Sequence, residues 1–203
     1  MKILLINAHP DYQNPQRTIN QLTATAQATI AAQAPHAEVE TLTLYDPATQ
    51  IPRITAETLA ATEMSPVQRH LIDQWKAADL TVILMPLHNF NVVSKLKDYI
   101  DNVFIAGETF KYTADGSVGL LSNQHKVVYV QSSGSDYAHD FRYVTADIAP
   151  YYLRTIMSLM GITAMEVIRA QGLDLANSDK PAIVEATKHQ LSAYLTKALA
   201  ATD

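Results

Sequence analysis

The sequence predicts a doubly wound α/β fold, a five-stranded parallel sheet in the order 2-1-3-4-5 with helices on both faces. Three observations carry this. The unbroken apolar runs Ile3–Ile6, Leu80–Met85 and Val127–Val130 are short, rich in Ile, Leu and Val, and bounded by polar or turn residues. Strands buried on both faces of a parallel sheet read this way. Two further segments, Val39–Leu44 and Met165–Ile168, have the mixed character of outer strands. Segments of helical period separate all of these, and the strand–helix alternation selects the doubly wound class.

Along the chain, Ile3–Ile6 is the first strand. Thr18 to Ala34 carries Ile19, Leu22, Ala26, Ile30 and Ala34 on one helical face, the stripe an amphipathic helix buries. Val39–Leu44 is the outer second strand. Val67 to Ala78 repeats Leu71, Trp75 and Ala78, and Ser65-Pro66 before it fits an N-cap followed by proline at the first helical position. Leu80–Met85 is a central strand that Pro86 ends, since proline fixes its φ and has no N–H to donate. Ser94 to Ala106 places Leu96, Ile100, Val103 and Phe104 together. Gly107 to Asn123 is the longest segment without a period; such a connection in a compact domain is functional, ordered by a partner, or a solvated insertion. Val127–Val130, a helix over Tyr143–Met160, Met165–Ile168 and a helix over Ala182–Ala200 complete the set. With no repeat, low-complexity stretch or linker, residues 1–203 read as one domain.

Composition narrows the function. With 48% hydrophobic and 17% charged residues in 203, the chain has a globular balance. A net charge of −5 lacks the basic stripe of a nucleic-acid binder. Having no cysteine excludes disulfides, thiolate metal sites and cysteine nucleophiles. His36, His70, His88, His125 and His139 are scattered without ligand-like spacing, so no metal is expected. The amino terminus lacks the long apolar region of a signal peptide, and no run approaches a membrane span. A soluble cytoplasmic protein is the expectation.

In the predicted topology, ligands bind outside the carboxyl ends of the strands, where three loops converge. The first, Ala8 to Thr18, has neither G-x-G-x-x-G nor a P-loop pattern. It does place Gln16, Arg17 and Thr18 at a helix start, where free N–H groups and the dipole attract phosphate. Thr18 is equally suited to a plain N-cap. The second loop is Pro86-Leu87-His88-Asn89-Phe90, which offers amides and an aromatic face to a planar group; an ordinary strand-to-helix turn has the same make-up. The third, Gln131 to Asp136, reads Gln-Ser-Ser-Gly-Ser-Asp, and its small residues let backbone amides approach a ring edge. Phosphate site, planar slot and small-residue clamp on one rim describe a flavin mononucleotide (FMN) pocket.

On these residues the chain resembles the FMN-dependent NAD(P)H azoreductases, relatives of the flavodoxin-like quinone reductases. Pro86-Leu87-His88-Asn89-Phe90, then Leu96-Lys97-Asp98-Tyr99-Ile100-Asp101, then Ala106-Gly107-Glu108-Thr109-Phe110-Lys111-Tyr112-Thr113 match that family's P-M-Y-N-F, L-K-x-Y-x-D and A-G-x-T-F-x-Y-T at the same spacing. The resemblance covers nearly the whole chain. It implies a flavodoxin-like fold in which Arg17 and Thr18 hold the FMN phosphate with His9 beside it. Pro86, Leu87, His88, Asn89 and Phe90 then line the isoalloxazine. Ser132, Ser133, Gly134 and Ser135 occupy the place of the family's S-R-G-G over the pyrimidine side. Leu87 and His88 stand where the family has Met and Tyr, Ser133 and Ser135 replace Arg and Gly, and the first loop lacks the family's S-x-S. The implied function is reduction of quinones and azo compounds by NADH or NADPH, with ping-pong two-electron hydride transfer through the flavin and no protein nucleophile. Alternatives on the same fold are a flavin reductase, an electron-transfer flavodoxin or a redox-silent binding module.

The resemblance also implies a homodimer with both active sites at the interface. Phe104, Phe110, Tyr112, Tyr151, Tyr152, Met157 and Met160 are candidates for that surface, although the two methionines fit a core better. Phe110 and Tyr112 are candidates to wall the substrate slot, with core packing the competing role. His139, five residues beyond Gly134, is the candidate proton donor to substrate, or else a surface loop histidine.

Overall fold

Strands β1 (Lys2–Asn7), β2 (Glu38–Thr43), β3 (Leu80–Pro86), β6 (Lys126–Ser132) and β7 (Met165–Ala170) form one parallel sheet in a computed structural model that describes residues 1–61, 63–121 and 125–200. Its order is β2-β1-β3-β6-β7, the predicted 2-1-3-4-5 once a separate hairpin, β4 (Phe110–Thr113) and β5 (Gly116–Gly119), is set aside. The helices are α1 (Thr18–Gln33), α2 (Ala56–Ala60), α3 (Pro66–Ala77), α4 (Ser94–Val103), α5 (Ile148–Met160) and α6 (Lys180–Ala200).

Alternate residues of each strand face opposite sides. Leu4, Ile6, Ile83, Met85, Val127 and Tyr129 join a core with Trp75 from α3, Tyr99 from α4 and Leu153 from α5. Ile3, Leu5, Val82, Leu84, Val128 and Val130 join a second core with Ile19 and Ile30 of α1 and Leu191 and Leu195 of α6. Each fully buried aliphatic side chain contributes about 1.5–3 kcal/mol of transfer free energy, which is why unbroken apolar runs form the central strands. Met157 and Met160 are 1% and 0% exposed and belong to the first core.

The strands end together. Asn7 pairs with Leu84, Pro86 with Ser132, and Ser132 with Ala170, so the three loops leave a common rim. Proline is tolerated at the end of central β3 because the ladder stops there.

Several boundaries differ from the sequence expectation. The third strand-to-helix connection starts later than expected, because Gln131 and Ser132 belong to β6. Helix α5 begins at Ile148 rather than Tyr143; a 3-10 turn, Val144–Ala146, precedes it. Pro150 has no N–H and would clash with a helical carbonyl at Ala146, so only a helix having Pro150 in its first turn is possible. Helix α4 stops at Val103, whose carbonyl accepts the Thr109 hydroxyl at 2.9 Å. Helix α2 was not foreseen. It has no buried residue and rests on a Thr55–Thr58 capping box.

The segment expected to lack structure from Gly107 holds the β4–β5 hairpin, while Ser122 and Asn123 at its end lie outside the described residues. Glu108 ties the hairpin base to α3 through Arg69 at 2.8 Å and Lys76 at 3.2 Å. Gly119 lies on the end of α5, where a Cβ would sit 2.2 Å from the Gly161 nitrogen.

Candidate functional site

The first rim loop is built on two asparagines. Asn7, buried at the end of β1, donates from Nδ2 to Asn20 Oδ1 at 3.0 Å and accepts the His9 N–H at 2.9 Å. Asn20, in the first turn of α1, donates to the carbonyls of Asp11 at 2.9 Å and Asn14 at 2.7 Å. The loop is thereby folded over the start of α1. His9 Nδ1 accepts the Asp11 N–H at 2.9 Å, so the ring proton sits on Nε2. Partial burial, and then the Arg17 charge, hold its pKa below the ordinary 6.5, so the imidazole is neutral at pH 7. Arg17 Nε donates to Asp11 Oδ2 at 2.8 Å; this bond, and a second from Asn14, keep the Asp11 carboxyl below the usual carboxylate range.

Arg17 is the N-cap of α1 without a side-chain capping bond, and Thr18 is the first helical residue rather than the cap. The Gln21 N–H is the first to bond back, to the Arg17 carbonyl at 3.0 Å. The N–H groups of Thr18, Ile19 and Asn20 therefore have no partner within the helix and carry its positive dipole end.

The second loop stores backbone strain. His88 and Asn91 form an isolated antiparallel bridge, with His88 N–H to Asn91 O at 3.3 Å and Asn91 N–H to His88 O at 3.1 Å. Between them Asn89 has φ +46° and Phe90 φ +70°. Two consecutive left-handed residues closing such a bridge make the type I′ turn. Asparagine adopts that region readily, whereas a phenylalanine there costs about 1 kcal/mol. Leu87 N–H donates to Ser132 O at 2.8 Å, and the Leu87 side chain packs on the core. His88, Asn89 and Phe90 are exposed. Of the five residues expected to line a planar group, those three face solvent, while Pro86 and Leu87 anchor the turn.

The third loop follows β6. Its Ser133, Gly134 and Ser135 carbonyls accept from Leu173, Asp174 and Gly172 at 3.1, 3.0 and 3.1 Å. The N–H groups of Gly134 and Ser135, by contrast, have no acceptor among the described residues. Ser132 and Ser133 are buried, and the Ser133 hydroxyl donates to the Ser135 carbonyl at 2.9 Å. Glycine at 134 does not clear space for a ring: its missing Cβ would lie 2.6 Å from Asp174 Oδ2. What this loop offers outward is backbone N–H.

Tyr137 was missed in the sequence. It is 9% exposed and lies edge-on to Phe90 at 6.1 Å and tilted against Tyr143 at 5.5 Å. Its ring joins the second loop to the third. Asp136, also missed, orients His139: its Oδ2 lies 3.0 Å from His139 Nδ1, and its Oδ1 accepts the Ala138 and His139 N–H groups. Burial raises the Asp136 pKa, but these bonds together outweigh it and hold the carboxyl low. The His139 side chain is exposed with Nε2 toward no protein partner among the described residues. Asn7 and Asn20 were missed as well, because a polar residue ending a strand signals nothing until its partner across the loop is known.

Of the two slot candidates, Phe110 is 7% exposed and stacked on Phe104 at 4.3 Å, so it packs rather than walls. Tyr112 is 74% exposed, edge-on to Phe110. Tyr151 is exposed, and Tyr152 is partly buried against the core.

The rim thus gathers donors at both ends. The α1 N–H groups, His9 Nε2 and Arg17 suit an anionic tail, and the Gly134 and Ser135 N–H groups suit the carbonyl edge of a flat ring lying against Asn89 and Phe90. These groups fit a riboflavin phosphate.

A family model described as "Flavodoxin-like fold" matches residues 1–195. A protein of Lactiplantibacillus plantarum, FMN-dependent NADH:quinone oxidoreductase 1, is 38% identical over 85% of this chain and 86% of its own length. The protein of the same name from Bacillus cereus is 37% identical over 84% of this chain and 86% of its own length. The crystal structure of an FMN-dependent NADH-azoreductase from Bacillus anthracis in complex with FMN superposes with a TM-score of 0.89 at 30% identity, covering 97% of this chain and 98% of that one.

Proposed function

Because the chain belongs to the flavodoxin-like family that includes the FMN-dependent NADH:quinone oxidoreductases, we propose that it is an FMN-dependent NADH oxidoreductase acting on quinones and azo compounds. The observation that carries this reading is the rim itself, where unpartnered N–H groups flank an exposed, strained Asn89–Phe90 turn. The N–H groups of Thr18, Ile19 and Asn20, with His9 Nε2–H and Arg17, hold the phosphate. Neutral His9 donates one hydrogen bond, and Arg17 supplies charge that also offsets Asp11.

Bound FMN supplies two-electron hydride chemistry that no side chain here provides. The Gly134 and Ser135 N–H groups would face the ring's carbonyl edge as fixed donors, which stabilise negative charge without reorganising. Asn89 and Phe90 would lie against the flat group. On this reading the kinetics are ping-pong, with the nicotinamide and the acceptor bound in turn. His139, whose Nδ1–H faces the Asp136 carboxylate, turns Nε2 outward and in its doubly protonated form would pass a proton to the acceptor's oxygen or nitrogen.

The working unit is a homodimer. Tyr112, Val118, Tyr151 and Leu159 are exposed on the hairpin and the adjoining face of α5, and a second copy covering them brings Tyr112 toward a neighbouring rim. The whole chain acts as one domain, in the cytoplasm where NADH is found.

Anaerobic titration tests the reading. Protein reconstituted with FMN is expected to bleach stoichiometrically with NADH and recover its yellow absorbance on adding a quinone. Arg17→Gln is expected to lower affinity for FMN and leave that for riboflavin unchanged. Failure to retain FMN after reconstitution overturns the assignment.

A further inference from the structure

Beneath the third loop lies a buried polar cluster that the reaction as described leaves unused. Asp147, 8% exposed, immediately precedes α5, and its Oδ2 accepts from Arg169 Nη2 of β7 at 2.6 Å. Arg169 is in register with Gln131, the 0%-exposed residue before Ser132, and Gln131 Oε1 accepts the Tyr129 hydroxyl at 2.9 Å. Asp147 Oδ1, Arg169 Nε and Gln131 Nε2 are buried atoms with no hydrogen-bond partner among the described residues.

A buried ion pair is often replaceable by apolar residues at no loss, and buried polar atoms without partners carry a desolvation penalty. Departures from local consistency of this kind concentrate at functional sites. The position of the cluster indicates its use. The loop's first residues hang on the β7 exit, through Ser133 N–H to Ala170 O at 2.9 Å and the three carbonyl bonds to Gly172–Asp174. The chain that continues from this loop to α5 ends at Asp147, which returns to the same strand one position earlier, at Arg169. Both ends of the β6–α5 connection are thereby clamped to residues 169–174. Between the clamps sits Tyr137, whose hydroxyl feels the Asp147 charge and whose ring touches Phe90.

We propose that the largely buried Asp147 and its part-buried partner Arg169, with Gln131, form a positioning clamp: it fixes the third loop, and through Tyr137 the Phe90 turn, in the place the flavin ring requires. These are positioning residues, since the loop and Tyr137 lie between them and the rim. The proposal rests on the FMN reading above.

Arg169→Met, Asp147→Asn, Arg169→Lys and the apolar pair Asp147→Leu with Arg169→Met are compared with the full-length wild type. Each is measured for melting temperature as apoprotein, FMN dissociation constant below that melting temperature, and flavin midpoint potential. The single breaks release the loop that carries the Gly134 and Ser135 N–H groups and are expected to weaken FMN binding about tenfold, the scale of one lost hydrogen bond, and to move the potential. Arg169→Lys, which keeps the charge, is expected to recover part of both. The apolar pair is expected to regain the melting temperature but not the affinity, because shape is restored and direction is not.

Single variants that bind FMN as the wild type does, with an unmoved potential, overturn the clamp. So does an apolar pair that recovers affinity along with melting temperature, which makes the role structural only. A wild type that does not bind FMN overturns the clamp and the functional assignment together, and is distinct from the first two results.

Discussion

Burial of His125 makes the fold's stability acid-sensitive. The side chain is 4% exposed, its ring tilts against Trp75 at 5.3 Å, and Nε2 lies 3.0 Å from the Thr81 hydroxyl. Burial pushes its pKa down from 6.5 to about 4, with Asp79 opposing more weakly. The unfolded chain therefore binds this proton first as pH falls. The stabilisation is present above pH 6.5 and is lost between there and about pH 4, where the native state also protonates. A shift of this size is worth about 3 kcal/mol in full, and about 2 kcal/mol of it is lost between pH 7 and pH 5. The perturbation is His125→Gln, which does not titrate and can still hydrogen-bond Thr81. Urea unfolding of apoprotein at the two pH values is the assay. The wild type is expected to lose about 2 kcal/mol more than the variant over this interval. Equal losses in the two proteins refute the assignment of the acid sensitivity to His125, because the remaining histidines and carboxylates are common to both.

Three further outcomes follow from the rim and the hairpin. Asn89→Ala places an alanine at φ +46° and is expected to lose about 1 kcal/mol, whereas Asn89→Gly keeps the turn; if the amide itself contacts the flavin, both variants slow flavin reduction in stopped flow, while a backbone effect spares the glycine variant. His139→Gln is expected to slow quinone turnover by about 10²-fold and leave reduction by NADH unchanged, the loss typical of a general acid; an equal effect on both half-reactions removes His139 as the proton donor. Gly119→Ala drives a Cβ to 2.2 Å from the Gly161 backbone and is expected to lower stability by about 3 kcal/mol or more by overpacking, read as a fall in melting temperature.

The sheet was legible because each central strand is buried on both faces and so is mostly apolar, with Thr81 the one polar residue inside the three runs. β1, β3 and β6 stand out for that reason, and their order follows from the alternation with helices. The hairpin was not legible: Phe110 is the single buried residue of β4, and β5 has none, so no period marks either strand. Its stability comes from Glu108 meeting Arg69 and Lys76 and from Gly119 meeting Gly161, pairings between residues far apart in sequence. The same holds at the site. Asn89 and Phe90 could be placed at the rim from the strand before them, but their left-handed backbone could not, since neither is glycine. Tyr137 looked like a loop residue, and Asp147 fell inside the helix expected over Tyr143–Met160, until the chain's return to Arg169 was known.

The turn at Asn89–Phe90 shows how strain and function are linked here. A type I′ turn costs nothing with asparagine followed by glycine, and that pair would hold the His88–Asn91 bridge equally well. Phenylalanine at the second position instead leaves a ring 43% exposed at a backbone cost of about 1 kcal/mol. Its contact with Tyr137 returns part of that cost, since an edge-on aromatic pair is worth about 0.5–1.5 kcal/mol. The strain persists because both flanks are over-determined: Leu87 is held by the core and by Ser132, and Tyr137 is held in a loop clamped at both ends. Left-handed residues that a stable surrounding forces into place are a recurrent mark of ligand-holding sites. The residue that ought to be glycine for the turn's sake is aromatic and exposed, and the cost falls on the rim where the unpartnered N–H groups of the first and third loops also meet.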